Sequence, residues 1–182
     1  MYLIITASPN KDGLTAACGQ SAFEGIDSAG GATKIVDISA AGLESCRICG
    51  DGWGTCRGDG QCVIQDGFAG LQEEIRAAQG LVLVTPVYWG QPSERMQYFL
   101  CRFRRCESFF RENGAANGKP VDIVAAAGGS GNGTVSCLQE MESWCRHVGA
   151  VPRERFGVTR FNREPMLAAI RDAGKRMAQE TN

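Results

Sequence analysis

Apolar and β-branched residues gather into short runs at residues 2–7, 33–38, 80–85, 121–126 and, more weakly, 155–161. Runs of this length predict strands. Those at 2–7, 80–85 and 121–126 are apolar almost without interruption, as strands buried on both faces of a parallel sheet must be. Between them the period changes. Leu14, Cys18, Phe23 and Ile26 recur at mixed three- and four-residue spacing, as do Phe68, Leu71, Ile75 and Ala78. The same holds for Met96, Phe99, Leu100, Phe103 and Cys106, and for Leu138, Met141 and Cys145. Such spacing lays an apolar stripe along a helix, so helices are predicted at 15–27, 68–78, 93–110, 134–147 and 165–179. Five βα units result: an α/β, doubly wound domain with a five-stranded parallel sheet.

In such sheets ligands bind beyond the carboxyl ends of the strands at the topological switch point, which for strand order 2-1-3-4-5 lies at strands one and three. Three loops at those ends have ligand-binding character. The first, Ser8, Pro9, Asn10, Lys11, Asp12, Gly13, Leu14 and Thr15, is small and polar and leads into a helix N-terminus. It suits a phosphate, and equally an ordinary helix cap through Asp12 or Thr15. The second, after the third strand, is Thr85, Pro86, Val87, Tyr88, Trp89, Gly90, Gln91, Pro92 and Ser93. Its aromatics can wall a planar ring or pack against another subunit. The third, after the fourth strand, holds Gly128, Gly129, Ser130, Gly131, Asn132 and Gly133, where glycine lets backbone N–H groups approach a ligand or simply leaves the loop flexible. Together they describe a pocket with a phosphate end and a flat-ring end, which suits flavin mononucleotide (FMN).

The length of 182 residues fits one domain, 1–182. With 19 Lys+Arg against 20 Asp+Glu, the chain has no global attraction to nucleic acid or anionic membrane. No run approaches a membrane span, and residues 2–7 lack the flanks of a secretory signal. A cytoplasmic setting is therefore expected. There, nine cysteines point to metal or redox chemistry before disulfides. Four of them, Cys46, Cys49, Cys56 and Cys62, fall in a glycine-rich loop at residues 39–65 with C-x2-C-x6-C-x5-C spacing. An iron–sulfur cluster needs four converging thiolates. Structural zinc usually takes two close cysteine pairs, and one is present. Zinc and free thiols stay open. Cys18, Cys101, Cys106, Cys137 and Cys145 lie on helical stripes and are expected in the core. Trp53 either packs or stacks on a flavin, and His147 is expected at a helix end.

These three loops resemble the FMN loops of NAD(P)H-dependent FMN reductases of the flavodoxin-like superfamily, whose fold has the 2-1-3-4-5 order. The resemblance implies that Ser8, Asn10 and the Gly13, Leu14 and Thr15 amides hold the phosphate within the loop that includes Lys11. It implies that Pro86, Val87, Tyr88, Trp89 and Gly90 flank the isoalloxazine. Gly128, Gly129, Ser130 and Gly131 would bond the pyrimidine edge. The family often has Arg where Asn10 stands, Asn or Ser where Leu14 stands and Asp where Cys101 stands. The related iron–sulfur flavoproteins carry a compact cysteine motif in the same loop for a [4Fe-4S] cluster; Cys46, Cys49 and Cys62 match that layout, while the third cysteine is displaced by four residues.

The function expected is hydride transfer from NAD(P)H through FMN to a quinone, flavin or other acceptor. The alternatives are an iron–sulfur flavoprotein electron carrier serving protein partners, and a non-catalytic flavin- or metal-binding module. Lys11, Arg95 and Arg102 are candidate partners for a 2′-phosphate. The resemblance further implies a homodimer or homotetramer that closes the flavin site. Other α/β chemistries lack their residues: no cysteine has Arg six positions later, neither Gly118-Lys119 nor Gly174-Lys175 completes a P-loop, and the third strand ends in Thr85-Pro86 without a carboxylate.

Overall fold

The computed structural model describes residues 1–180; the last two residues of the expected domain lie outside them. The chain runs β1 (Tyr2–Thr6), α1 (Leu14–Ser28), β2 (Thr33–Asp37), α2 (Thr55–Gly58), α3 (Phe68–Ala77), β3 (Gly80–Tyr88), β4 (Gln91–Pro92) and α4 (Glu94–Glu107). A 3-10 segment (Ser108–Asn113), β5 (Pro120–Ala127), α5 (Thr134–Val148), β6 (Val151–Thr159) and α6 (Arg163–Glu180) follow. The parallel strands lie in the order β2-β1-β3-β5-β6. This is the expected 2-1-3-4-5 order once β4 is set aside. β4 pairs antiparallel with the end of β3, and a two-residue strand has no period for the sequence pattern to reveal.

Alternation along the strands divides the core into two layers. Leu3, Ile5, Leu81, Leu83, Val121 and Ile123 pack with Phe68 and Ile75 of α3, Phe99 and Phe103 of α4, and Met141 of α5. Tyr2, Ile4, Val82, Val84 and Val124 pack with Cys18 and Ile26 of α1 and Ile170 and Met177 of α6. Both faces of the sheet are covered, which accounts for the unbroken apolar runs. On the second face α1 and α6 meet backbone to backbone. A Cβ on Gly25 would lie 1.9 Å from the Arg171 carbonyl oxygen, and one on Gly174 would lie 2.8 Å from that of Ala22.

The last strand departs from expectation at both ends, beginning at Val151 instead of Arg155 and ending at Thr159 instead of Phe161. Its register against β5 slips between the pairs Val121↔Pro152 and Ile123↔Arg155. A proline followed by polar Arg153 and Glu154 hides the strand's alternation. The buried Asp122 carboxylate fills the slip by accepting the Glu154 N–H at 3.2 Å. Burial pushes its pKa up to about 6, against the backbone hydrogen bond from Glu154 and the charge of Arg153. Among the described residues no helix is long and apolar enough to cross a membrane.

Candidate functional site

α1 opens on Gly13, which has no side chain to cap it, and carries no acidic residue in its first turn. Its leading N–H groups and positive dipole end are therefore left to an outside anion. The loop before it is shaped by its own polar groups. The Ser8 hydroxyl donates to the Asn10 carbonyl and accepts the Asn10 N–H, both at 3.2 Å, and Asn10 Oδ1 accepts the Asp12 N–H at 3.3 Å. Ser8, Asn10, Lys11 and Gly13 line a groove of about 620 Å³ that continues between α1 and β2 as far as Asp37. Leu14 and Thr15 do not line it, and neither do Pro86, Val87, Tyr88, Trp89 and Gly90 or Gly128, Gly129, Ser130 and Gly131. Leu14 packs against the α1–α6 layer and Thr15 is 4% exposed, so these two residues offer backbone N–H groups more readily than side chains.

A buried hydroxyl pair ties this loop to the second one. The Ser93 N–H donates to Thr85 Oγ1 at 3.0 Å, the Thr85 hydroxyl to Ser93 Oγ at 3.3 Å, and the Ser93 hydroxyl to the Ala7 carbonyl at 3.1 Å. Ser93 also caps α4 by accepting the Met96 N–H. Between Thr85 and Ser93, Pro86 and Val87 are half-buried, whereas Tyr88 and Trp89 are exposed. Trp89 stands fully in solvent with φ 53°, a left-handed conformation that a bulky residue rarely adopts.

The third loop meets the second directly. Ser136 Oγ donates to the Gly90 carbonyl at 2.7 Å, and a Cβ on Gly133 would lie 2.6 Å from Gly90 Cα. Gly133 and Ser136 thus join the loops, a role visible in the sequence only as a fourth glycine beside the expected three. Gly131 takes φ 82° and needs glycine for that reason. Gly128 and Gly129 do not. Neither has a left-handed φ, and a Cβ on either meets no described atom within 4 Å. Inside the chain nothing explains glycine at these two exposed positions; a ligand lying against the backbone would.

The cysteine loop is folded around a single turn of helix, α2, and Cys46, Cys49, Cys56 and Cys62 line one small pocket beneath it. Cys106 joins them from α4, with Arg47, Arg102 and Arg105. Burial, then Cys62 and Cys56, push the Cys106 thiol up to about 12. The donor set suits a thiophilic metal centre, although among the described residues no three His, Cys, Asp or Glu side chains stand ready to hold a single ion. Unpaired donors line the same pocket: Arg102 Nε and Arg105 Nε and Nη2 are buried without a hydrogen-bond acceptor among the described residues. An anionic sulfur centre fits such a wall.

Two expectations change. Cys101 is exposed, not in the core, and sits beside Cys46, because its stripe on α4 turns away from the sheet. Arg102 is 1% exposed and forks onto Asp66 at 2.6 and 3.0 Å, with further bonds to the Glu44 carbonyl and to Cys62 Sγ at 3.3 Å. It is therefore not available to a 2′-phosphate. Although burial opposes it, the Arg102 hydrogen bond holds the Asp66 carboxyl below its ordinary range, assisted by the Glu44 and Phe68 N–H groups. Arg95 is held by the Leu43 carbonyl at 3.0 Å, while Lys11 stays exposed at the groove. Trp53 packs within the chain, edge-on to Phe109 at 5.1 Å and beneath Arg105 at 4.2 Å. α5 ends on left-handed Gly149, with His147 exposed in its last turn.

Residues 2–162 match the NADPH-dependent FMN reductase family. An iron-sulfur flavoprotein of Methanosarcina thermophila is 27% identical over 81% of this chain and 73% of its own. One from Methanocaldococcus jannaschii is 26% identical over 96% and 94%. Among solved structures, an NAD(P)H:quinone oxidoreductase from Methanothermobacter marburgensis superposes with TM-score 0.73 at 16% identity, over 97% of this chain and 94% of that one. A flavodoxin from the domain Archaea gives 0.66 at 12% identity, over 100% and 99%. The sheet order agrees with these flavodoxin-like structures and the family match spans most of the chain: the chain belongs to the NADPH-dependent FMN reductase family, as a flavodoxin-like oxidoreductase.

Proposed function

We propose that residues 1–182 form one FMN-binding domain that takes hydride from NAD(P)H and passes electrons to a small-molecule acceptor such as a quinone or flavin. The observation that carries this is the pair Gly128 and Gly129, where a Cβ would meet no described atom within 4 Å, in a loop at the same edge of the parallel sheet as the uncapped start of α1. Ser8, Asn10, Lys11 and the Gly13, Leu14 and Thr15 amides would hold the phosphate. Pro86, Val87, Tyr88, Trp89 and Gly90 would flank the ring system, and Gly128, Gly129, Ser130 and Gly131 would present backbone N–H groups to its polar edge. When bound, FMN supplies the hydride and electron chemistry. The chain's own part is to hold it, orient it and bias its charge through fixed donors. The exposed Tyr88 and Trp89 suit a subunit contact in a cytoplasmic homodimer or homotetramer. Anaerobic stopped-flow with NADH and NADPH tests the reading: at least one should bleach the flavin at a rate compatible with turnover, and reduction by neither would contradict an NAD(P)H reductase.

A second reading is favoured by the thiol pocket. Cys46, Cys49, Cys56 and Cys62 share it with unpaired guanidinium donors, and the relatives from Methanosarcina and Methanocaldococcus are called iron-sulfur flavoproteins. In this reading the four thiolates would hold a [4Fe-4S] cluster, and the chain would carry electrons between flavin and protein partners. Iron and acid-labile sulfide in protein prepared anaerobically decide it: about four of each per chain are expected, and the absence of both would exclude it.

A further inference from the structure

Three arginines line the thiol pocket, and two of them have a carboxylate. Arg47 pairs with Glu44 at 2.6 Å, and Arg102 with Asp66 at 2.6 Å. Arg105 enters no ion pair among the described residues, and its Nε and Nη2 are buried without an acceptor. A half-buried cation with unpaired donors is an unfavourable arrangement unless an anion completes it.

The surroundings hold Arg105 in this position. Its guanidinium lies 4.2 Å over the Trp53 ring, which Phe109 braces edge-on at 5.1 Å. Stacking fixes the plane and satisfies none of the in-plane N–H groups. One turn of helix away is a view of what those groups meet: Arg102 Nη2 already donates to Cys62 Sγ at 3.3 Å, while its Nε has no acceptor. Sulfur is the acceptor that this wall of α4 faces.

We infer that Arg105, with Arg102 beside it, is a positioning residue for an anionic sulfur centre held by the pocket's thiolates, donating hydrogen bonds to its sulfur atoms and offsetting its charge. The inference rests on the cluster reading given above. Four thiolates gathered in one pocket repel one another, and an iron–sulfur centre becomes more negative on reduction. A fixed cation and its N–H donors therefore favour the reduced form and raise the reduction potential. Trp53 takes its role from the same arrangement, as the platform on which Arg105 is held.

The test uses the full chain, reconstituted anaerobically with iron and sulfide. Iron content is measured, and the cluster's midpoint potential is read by spectroscopically monitored titration, apart from the flavin bands. Wild type is compared with Arg105→Leu, Arg105→Lys and Arg104→Leu; Arg104 is the adjacent residue and lines a different groove, between α4 and α5. Arg105→Leu should lower the midpoint, Arg105→Lys should fall between it and wild type, and Arg104→Leu should leave the midpoint in place. If Arg105→Leu does not fold, a midpoint of Arg105→Lys below that of wild type carries the same conclusion, and one equal to it overturns the inference. Equal midpoints for Arg105→Leu and wild type overturn it, as do equal shifts from Arg105→Leu and Arg104→Leu. A wild-type chain that takes up no iron overturns the cluster reading and this inference together; full iron with no response to Arg105 overturns this inference alone.

Discussion

Gly128 and Gly129 separate a ligand's demands from the fold's. Because a Cβ at either position meets no described atom within 4 Å, Gly129→Val should leave the melting temperature within about 2 °C of wild type, the response to an exposed substitution worth less than about 0.5 kcal/mol. The same change should weaken FMN binding about tenfold or more, equivalent to about 1.4 kcal/mol; calorimetric titration of the apoprotein with FMN reads the affinity and a thermal melt of the same preparation reads the stability. Asp122 gives a prediction of the opposite kind, in stability alone. Its pKa rises from 3.8 to about 6 in the folded chain, a difference corresponding to about 3 kcal/mol. A raised carboxyl binds its proton more tightly when folded, so stability is lost as pH rises from near 4 through 6. Asp122→Asn keeps an oxygen for the Glu154 N–H and removes the charge. The variant should therefore gain on wild type progressively between pH 4 and pH 7, by up to about 3 kcal/mol, in parallel urea melts. A gain that does not change with pH would show that Arg153, Arg176 and the Glu154 N–H already compensate the charge against the Glu154 carboxylate.

At the scale of elements, the contacts that hold the site are small-residue contacts. α1 carries the first ligand loop and is seated by Gly25 and Gly174 against α6. Gly25→Ala drives a methyl into the Arg171 carbonyl and should destabilise the chain by about 3 kcal/mol, with loss of FMN affinity following only from unfolding; denaturant melts with and without FMN distinguish this from a direct effect. The five longer helices were legible in the sequence to within one to three residues because each buries an apolar stripe, whereas α2, a single turn with no buried residue, was not. β6 was legible only in its second half, since Pro152 and the register slip at Asp122 interrupt its alternation. Periodicity also put Cys101 and Cys106 on one helix without separating them: one faces solvent near Cys46 and the other the floor of the thiol pocket. Which side of a stripe meets an irregular loop depends on that loop's path, and residues 39–65 have no period from which to read it.

Across the whole molecule, the parallel order and its two covered faces follow from hydrophobic pattern and chain length, and the switch point then places all three ligand loops at one edge. What pattern does not carry is the joining of those loops. The Thr85–Ser93–Ala7 hydroxyl chain and the Gly90–Gly133 contact link residues far apart in sequence through single atoms. Arg102 was likewise legible as a cation but not as a buried one, because its counter-ion Asp66 comes from the far end of the cysteine loop. The molecule therefore carries two candidate centres on one scaffold, the joined loops at the strand ends and the thiol pocket against α4. The central claim concerns the first of them and is tested most directly by titrating the apoprotein with FMN while recording its visible spectrum and flavin fluorescence. The account predicts saturable binding of one FMN per chain, with a shifted flavin spectrum, that is weakened about tenfold or more in Gly129→Val while that variant stays folded. An apoprotein that leaves the spectrum and fluorescence of added FMN unchanged would contradict it.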